Sequence, residues 1–285
     1  MTDQAKALRQ VRSEPIVMPE RLTPATETEA IVVGSGKGGA GKSLVSLTMA
    51  AALADQGHRV LLVDGDQNLG NLHVLLGVRP TIQPSALLDG NVDPADLVVS
   101  VAPGLWLMPA ASGDEAIQRL SGTDRARLHR RVTTLYPEYD VVVIDAAAGL
   151  DSALRCAALR ATRLVVITTP EPTALTSAYA LVKMVHARLP RLPVDLMVNR
   201  TVSPEEGQLA ADRLQEAATR FLGRQLRYLG AVPEDSGVRG SLANPAGLVD
   251  PASAGPAQAR VHAIVREAFP DLTARTPALT QAAAS

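Results

Sequence analysis

One cysteine in 285 residues, Cys156, has no partner within the chain. An internal disulfide framework is excluded, and this usage fits a reducing compartment. Aromatic residues are nearly as scarce, at 2%, which leaves little for the stacking platforms that hold single-stranded nucleic acid. Neither sign of charge dominates. The 28 Lys and Arg residues against 29 Asp and Glu give a net charge of -1, so no bulk basicity advertises a polyanionic partner. Direct nucleic-acid binding is therefore not expected. No run of about 18 apolar residues occurs, and the N-terminus lacks the basic-then-apolar order of a secretory signal. The expectation is a cytosolic protein without a membrane-spanning segment. What the chain does have is 46% hydrophobic residues, over a length that suits one large α/β domain or two small ones with a substantial core.

Residues 1–28 read as a tail: a short amphipathic patch, "DQAKALR", then a linker rich in Pro, Glu and Thr. From Ala30 a regular alternation begins. "AIVVGSG", "RVLLVDGD", "LWLMPA", "DVVVIDA", "RLVVITT", "DLMVNR" and "RYLGAVP" are short apolar runs, expected as buried strands. Helix-forming stretches lie between them. "KSLVSLTMAAALADQG" stops at Gly57, and "TDRARLHRRVTTLYP" opens at an N-cap expected at Thr123 or Asp124. Strands without polar alternation, separated by helices, predict a doubly wound, mainly parallel sheet covered on both faces. The last helix is expected in "PAQARVHAIVREAF", followed by a weakly patterned tail from 271 to 285. The domain organisation read here is thus 1–28 as tip and linker, 29–270 as one α/β domain, and 271–285 as tail.

The informative stretch is "GSGKGGAGKS", which holds Gly36-x-x-x-x-Gly41-Lys42-Ser43 between an apolar strand and a helix. That spacing in that context is a P-loop. Glycines let the backbone turn tightly and present N–H groups to phosphate oxygens, and the helix N-terminus adds partial positive charge. Lys42 is placed to reach the β- and γ-phosphates, and Ser43 to ligate Mg²⁺. Three carboxylates, Asp64, Asp66 and Asp145, fall at the C-terminal ends of apolar strands downstream. In open α/β sheets this edge is where ligands bind. Lys37 is a second lysine inside the loop, just after Gly36, which P-loop chemistry alone does not require.

"KGGAGKS" (Lys37, Gly38, Gly39, Ala40, Gly41, Lys42, Ser43) resembles the deviant Walker A sequence of the MinD/ParA ATPases, KGGxGK[ST]. The resemblance implies ATP and Mg²⁺ as cofactors, with Lys37 reaching across a dimer interface to the partner's nucleotide. It also implies that Asp66 orients the attacking water, that Asp64 and Asp145 lie at the magnesium site with Ser43, that Asn71 belongs to a switch region, and that Asn199 contacts adenine. The segment around Pro233 is a second candidate for the adenine contact. Within that class, "TTPEPTALTSAYALVKM", "DQNLGNLHVLLGVRP" and "APGLWLMPAASG" resemble the FlhG/FleN branch, with Ser177 where that branch usually has Asp. The pair Ala146-Ala147 replaces the usual Thr-Gly, and Ala40 the usual Val; both changes keep small residues.

The tip then acquires a meaning. "DQAKALR" matches the DQAxxLR motif of FlhG proteins, which implies that Asp3, Gln4, Ala5, Leu8 and Arg9 bind an FlhF-type GTPase and stimulate its GTP hydrolysis. Leu8 lies four residues from Gln4, on the same helical face, and Gln4 can orient a water. The resemblance further implies an ATP-dependent homodimer that regulates flagellar number and placement, with flagellar switch proteins or a flagellar master transcription activator as further partners. The alternatives are a division-site regulator like MinD or a DNA-segregating ATPase like ParA. Some relatives end in an amphipathic helix that makes peripheral contact with the inner face of the membrane. In this chain Val261, Ile264, Val265 and Phe269 follow helical spacing, and packing on the sheet is the expectation for that face.

Overall fold

The computed structural model describes residues 28–66, 70–110, 119–158, 160–237, 245–270 and 272. The DQAKALR segment and the tail beyond 272 lie outside the described residues.

Eight strands form one sheet. They are β1 (Glu29–Gly34), β2 (Val60–Gly65), β3 (Val99–Ala102), β4 (Leu105–Met108), β5 (Val141–Ala146), β6 (Arg163–Thr168), β7 (Val194–Thr201) and β8 (Arg227–Pro233). Their order across the sheet is β3-β4-β2-β5-β1-β6-β7-β8. Every pairing is parallel except β3 with β4. The antiparallel edge strand was not among the strands expected from the sequence. Its residues, Val-Ser-Val-Ala, carry too weak an apolar run to stand out, and it turns into β4 at Gly104 with φ +76°, a backbone state open to glycine.

The central strands are apolar throughout because each face feeds a separate core. In β1, Ile31 and Val33 point into one core while Ala30 and Val32 point into the other. The first core is closed by α1 (Lys42–Asp55) and the final helix α7 (Pro256–Ala268); the second by α3 (Gly122–Thr133), α4 (Leu150–Ala158), α5 (Pro172–Arg188) and α6 (Pro204–Leu222). A four-residue turn of helix, α2 (Leu72–Leu75), follows β2. α1 is buried from Val45 to Leu53, sandwiched between sheet and α7, which explains its apolar composition on every side. The N-cap of α3 is Ser121: its hydroxyl oxygen accepts from Asp124 N–H at 3.1 Å. Gly122 in the first turn masks that start in the sequence.

Val261, Ile264, Val265 and Phe269 are buried, so the apolar face of α7 is spent on the sheet, as expected. Its end is held at the strands' N-terminal edge. Asp195, almost fully buried, receives Arg163 at 3.2 Å and Arg227 at 2.7 Å. Both guanidinium groups lie over the Phe269 ring, 5.8 and 5.5 Å from its centroid. No helix among the described residues is long and apolar enough to cross a membrane.

Candidate nucleotide site

The order of the sheet brings the predicted residues together. β5 lies between β1 and β2, so Asp145 is in register with Val33 on one side and Asp64 on the other. Parallel neighbours are about 4.8 Å apart. The loop leaving β1 therefore has Asp145 on the adjoining strand and Asp64 one strand further on.

The loop needs its glycines for different reasons. Gly39 (φ +83°) and Gly41 (φ +78°, the N-cap of α1) are left-handed, a state that a side chain disfavours. A Cβ on Gly36 would stand 2.2 Å from the Ser177 carbonyl oxygen, so α5 packs directly on the loop backbone. A Cβ on Gly41 would stand 2.3 Å from Asn199 Nδ2. That amide donates to the Ala40 carbonyl at 2.8 Å. Asn199, expected at adenine, here props the loop from beneath. Gly38 and Gly39 are exposed, and nothing lies within 4 Å of a Cβ built on Gly39.

The two lysines of the loop go opposite ways. Lys42 is buried: its ammonium donates to Asp145 Oδ1 at 2.6 Å, with Ser43 Oγ at 3.5 Å. Lys37 lies at the rim and donates to Thr173 Oγ1, in the first turn of α5, at 3.1 Å. Ser46, one turn along α1 from Lys42, reaches Asp145 Oδ1 at 2.8 Å. The sequence reading overlooked Ser46 and Thr173. Ser46 is legible in retrospect as the i+4 neighbour of the phosphate lysine; Thr173 is separated from Lys37 by 136 positions, and no local pattern signals it.

Asp64 has a different surrounding from Asp145. Its Oδ1 accepts the Asp66 N–H and its Oδ2 the Leu72 N–H, both at 3.1 Å. One carboxylate thus pins both ends of the stretch carrying Asp66 and Asn71. Gly70 fits beneath it; a Cβ there would stand 2.1 Å from Ala110 Cβ and 2.6 Å from Asp64 Oδ2. Asn71 is exposed at the N-cap of α2, without a side-chain capping bond. Behind Asp64 is a cavity of about 40 Å³ lined by Val63, Met108, Leu128, Ile144 and Cys156 among others. Burial in these apolar surroundings pushes the Asp64 carboxyl up to about 7, the two backbone donors opposing the shift and the Asp145 charge adding to it.

Mg²⁺·ATP fits this donor set. The exposed Gly38-Gly39 backbone, the N-terminus of α1 and Lys42 suit phosphates, while the Ser43 hydroxyl with the carboxylates of Asp145 and Asp64 supplies the hard oxygen donors that Mg²⁺ takes. When bound, the metal ion neutralises charge on the β- and γ-phosphates. Phosphates on the loop would compete with Asp145 for the Lys42 ammonium, which now gives one of its three N–H donors to that carboxylate.

A nucleotide-phosphate loop at the carboxyl edge of a doubly wound parallel sheet, with carboxylates at the ends of β5 and β2, defines a P-loop NTPase. The CobQ/CobB/MinD/ParA nucleotide binding domain family matches residues 31–245, and the chain belongs to that family: it is an ATPase of the MinD/ParA class. It is 35% identical over 211 residues to the antiactivator FleN of Pseudomonas aeruginosa, covering 74% of this chain and 75% of that one. It is 31% identical over 210 residues to the flagellum site-determining protein YlxH of Helicobacter pylori, covering 73% and 71%. These relatives put it in the FlhG/FleN (YlxH-like) branch. Among solved structures, the septum site-determining protein MinD from Pyrococcus horikoshii, complexed with Mg-ADP, matches with a TM-score of 0.70 and 26% identity over 85% of this chain and 96% of that one.

Proposed function

We propose that the protein is an ATP-driven dimerisation switch that regulates flagellar number and placement. It is a monomer without ATP and a homodimer with Mg²⁺·ATP, and it stimulates an FlhF-type GTPase through Asp3, Gln4, Ala5, Leu8 and Arg9. Flagellar switch proteins or a flagellar master transcription activator are its further partners. The names of FleN and YlxH, both concerned with flagella or antiactivation, support the branch. The observation that carries the switch is the divergence of the two loop lysines. Lys42 is committed inward to Asp145, while Lys37 sits at the rim of the same loop and, among the described residues, bonds a threonine hydroxyl. A rim lysine whose partner among the described residues is a neutral hydroxyl is available to phosphates presented by a second subunit. Asp66 is assigned to orient the attacking water, Ser43, Asp64 and Asp145 to hold Mg²⁺, and Asn199 to meet adenine.

Light scattering during size-exclusion chromatography tests the switch. Wild type should run as a monomer with ADP and as a dimer with Mg²⁺·ATP. Lys37→Ala should keep nucleotide binding and stay monomeric; normal dimerisation by that variant refutes the role. For the GTPase, a synthetic 1–12 peptide should raise GTP turnover by the cognate FlhF-type protein, with Gln4→Ala weakening stimulation more than binding. If full-length protein stimulates and the peptide neither binds nor stimulates, the activating surface lies on the ATPase body.

A further inference from the structure

We infer that Ser46 is a positioning residue for Asp145, holding that carboxylate in place when Lys42 leaves it for the nucleotide. The inference rests on the ATPase assignment of this loop. Asp145 Oδ1 carries two donors, the Lys42 ammonium at 2.6 Å and the Ser46 hydroxyl at 2.8 Å. All three residues are interior: Ser46 is 0% exposed, Asp145 2% and Lys42 8%. A buried carboxylate stripped of its cation is poorly solvated and free to turn. Lys42 is a long side chain that swings away; Ser46 is fixed to a helix packed on the sheet, and its hydroxyl stays.

The Ser46 oxygen also lies 3.0 Å from the Lys42 carbonyl. This is the common bond by which a mid-helix serine satisfies itself one turn back, and it is the rival account. One hydroxyl proton cannot serve both acceptors fully, and an ionised carboxylate is the stronger of the two. While Lys42 neutralises Asp145 the competition is close; once Lys42 departs it tips toward the carboxylate. Ser46 therefore matters most in the nucleotide-bound state. Its effect reaches the metal ion through Asp145, as the partner of a ligand does in other metal sites.

The test is ATP affinity of the full chain, by calorimetric titration, in excess Mg²⁺ and again in excess EDTA. Ser46→Ala removes one oxygen and adds nothing, so folding is preserved, and the melting temperature checks it. The Mg²⁺-dependent gain in ATP affinity should fall about 10-fold or more, with affinity in EDTA unchanged within about twofold. In an Asp145→Asn background the same substitution should have no further effect on the Mg²⁺-dependent gain. Wild-type binding in Mg²⁺ is the control for the nucleotide site itself. An equal loss in Mg²⁺ and EDTA, no loss in either, or an undiminished Ser46→Ala effect beside Asp145→Asn would each overturn the inference and leave Ser46 as a helix back-bond.

Discussion

Asp64 should make the nucleotide-free protein less stable as the medium becomes less acidic, in a pH range where most carboxylates have finished titrating. Its carboxyl moves from 3.8 in the open chain to about 7 in the fold, mainly by burial. The sign follows from proton counting. Between these values the unfolded chain has released the proton and the native chain retains it, so stability falls as pH rises through the window. Below it both states are neutral at this group, and above it the cost is constant. At about 1.4 kcal/mol per pH unit the full span is worth about 4 kcal/mol, an upper bound because water entering the site on ionisation reduces it. Urea unfolding of wild type and Asp64→Asn, without nucleotide or Mg²⁺, isolates the group as the difference between two curves. Asparagine keeps one carbonyl for one of the two N–H groups that Asp64 receives, and mismatching the other costs about 1–2 kcal/mol at every pH. That offset leaves the slope untouched. From pH 5 to 7 the variant should gain on the wild type by up to about 1.4 kcal/mol per pH unit. Parallel curves across that range would refute the buried-carboxyl argument.

Three further outcomes are expected. Lys42→Ala should abolish tight Mg²⁺·ATP binding in calorimetry, because the loop loses its cation for the phosphates; retained affinity would sink the P-loop assignment. Asp66→Ala should bind ATP, hydrolyse it slowly and accumulate as a dimer in light scattering, and a wild-type hydrolysis rate would contradict its role. Asp195→Ala should destabilise the fold by about 3 kcal/mol in urea titrations, since it strips Arg163 and Arg227 of the carboxylate they share; the half-exposed position of Arg227 makes a smaller loss acceptable, but no loss would show that the clamp on α7 is incidental.

Much of this architecture is written locally. All the strands except β3 announce themselves as apolar runs because both faces are covered, and the glycine spacing with Lys42 and Ser43 names the phosphate loop before any coordinates. The edge strand β3 did not announce itself, because an antiparallel edge needs fewer apolar residues than a buried centre. Partnerships across the sheet were equally invisible. Asp145 holds Lys42 from 103 positions away and Asn199 supports Ala40 from 159. The sequence marks each as a strand-end polar residue and leaves open what it touches. Asp64 shows the difference most clearly: its motif suggests a metal ligand, whereas its oxygens also organise the backbone on either side of Asp66 and Asn71.

The two ends of the described chain share one side of the molecule. Thr28 bonds to the Tyr136 and Tyr139 carbonyls beside the first residues of β1 and β5, and Phe269 lies against Arg163 and Arg227, which open β6 and β8. The phosphate loop is at the other end of the same strands, about 20 Å away for six residues of β structure. The described chain thus enters the sheet at Thr28 on the side of the molecule opposite the phosphate loop. Under the dimerisation switch proposed above, ATP would act through copy number: two paired bodies carry two N-terminal segments where there was one. Such a change in valency strengthens attachment to a partner with two sites far more than to a partner with one, without altering a single contact.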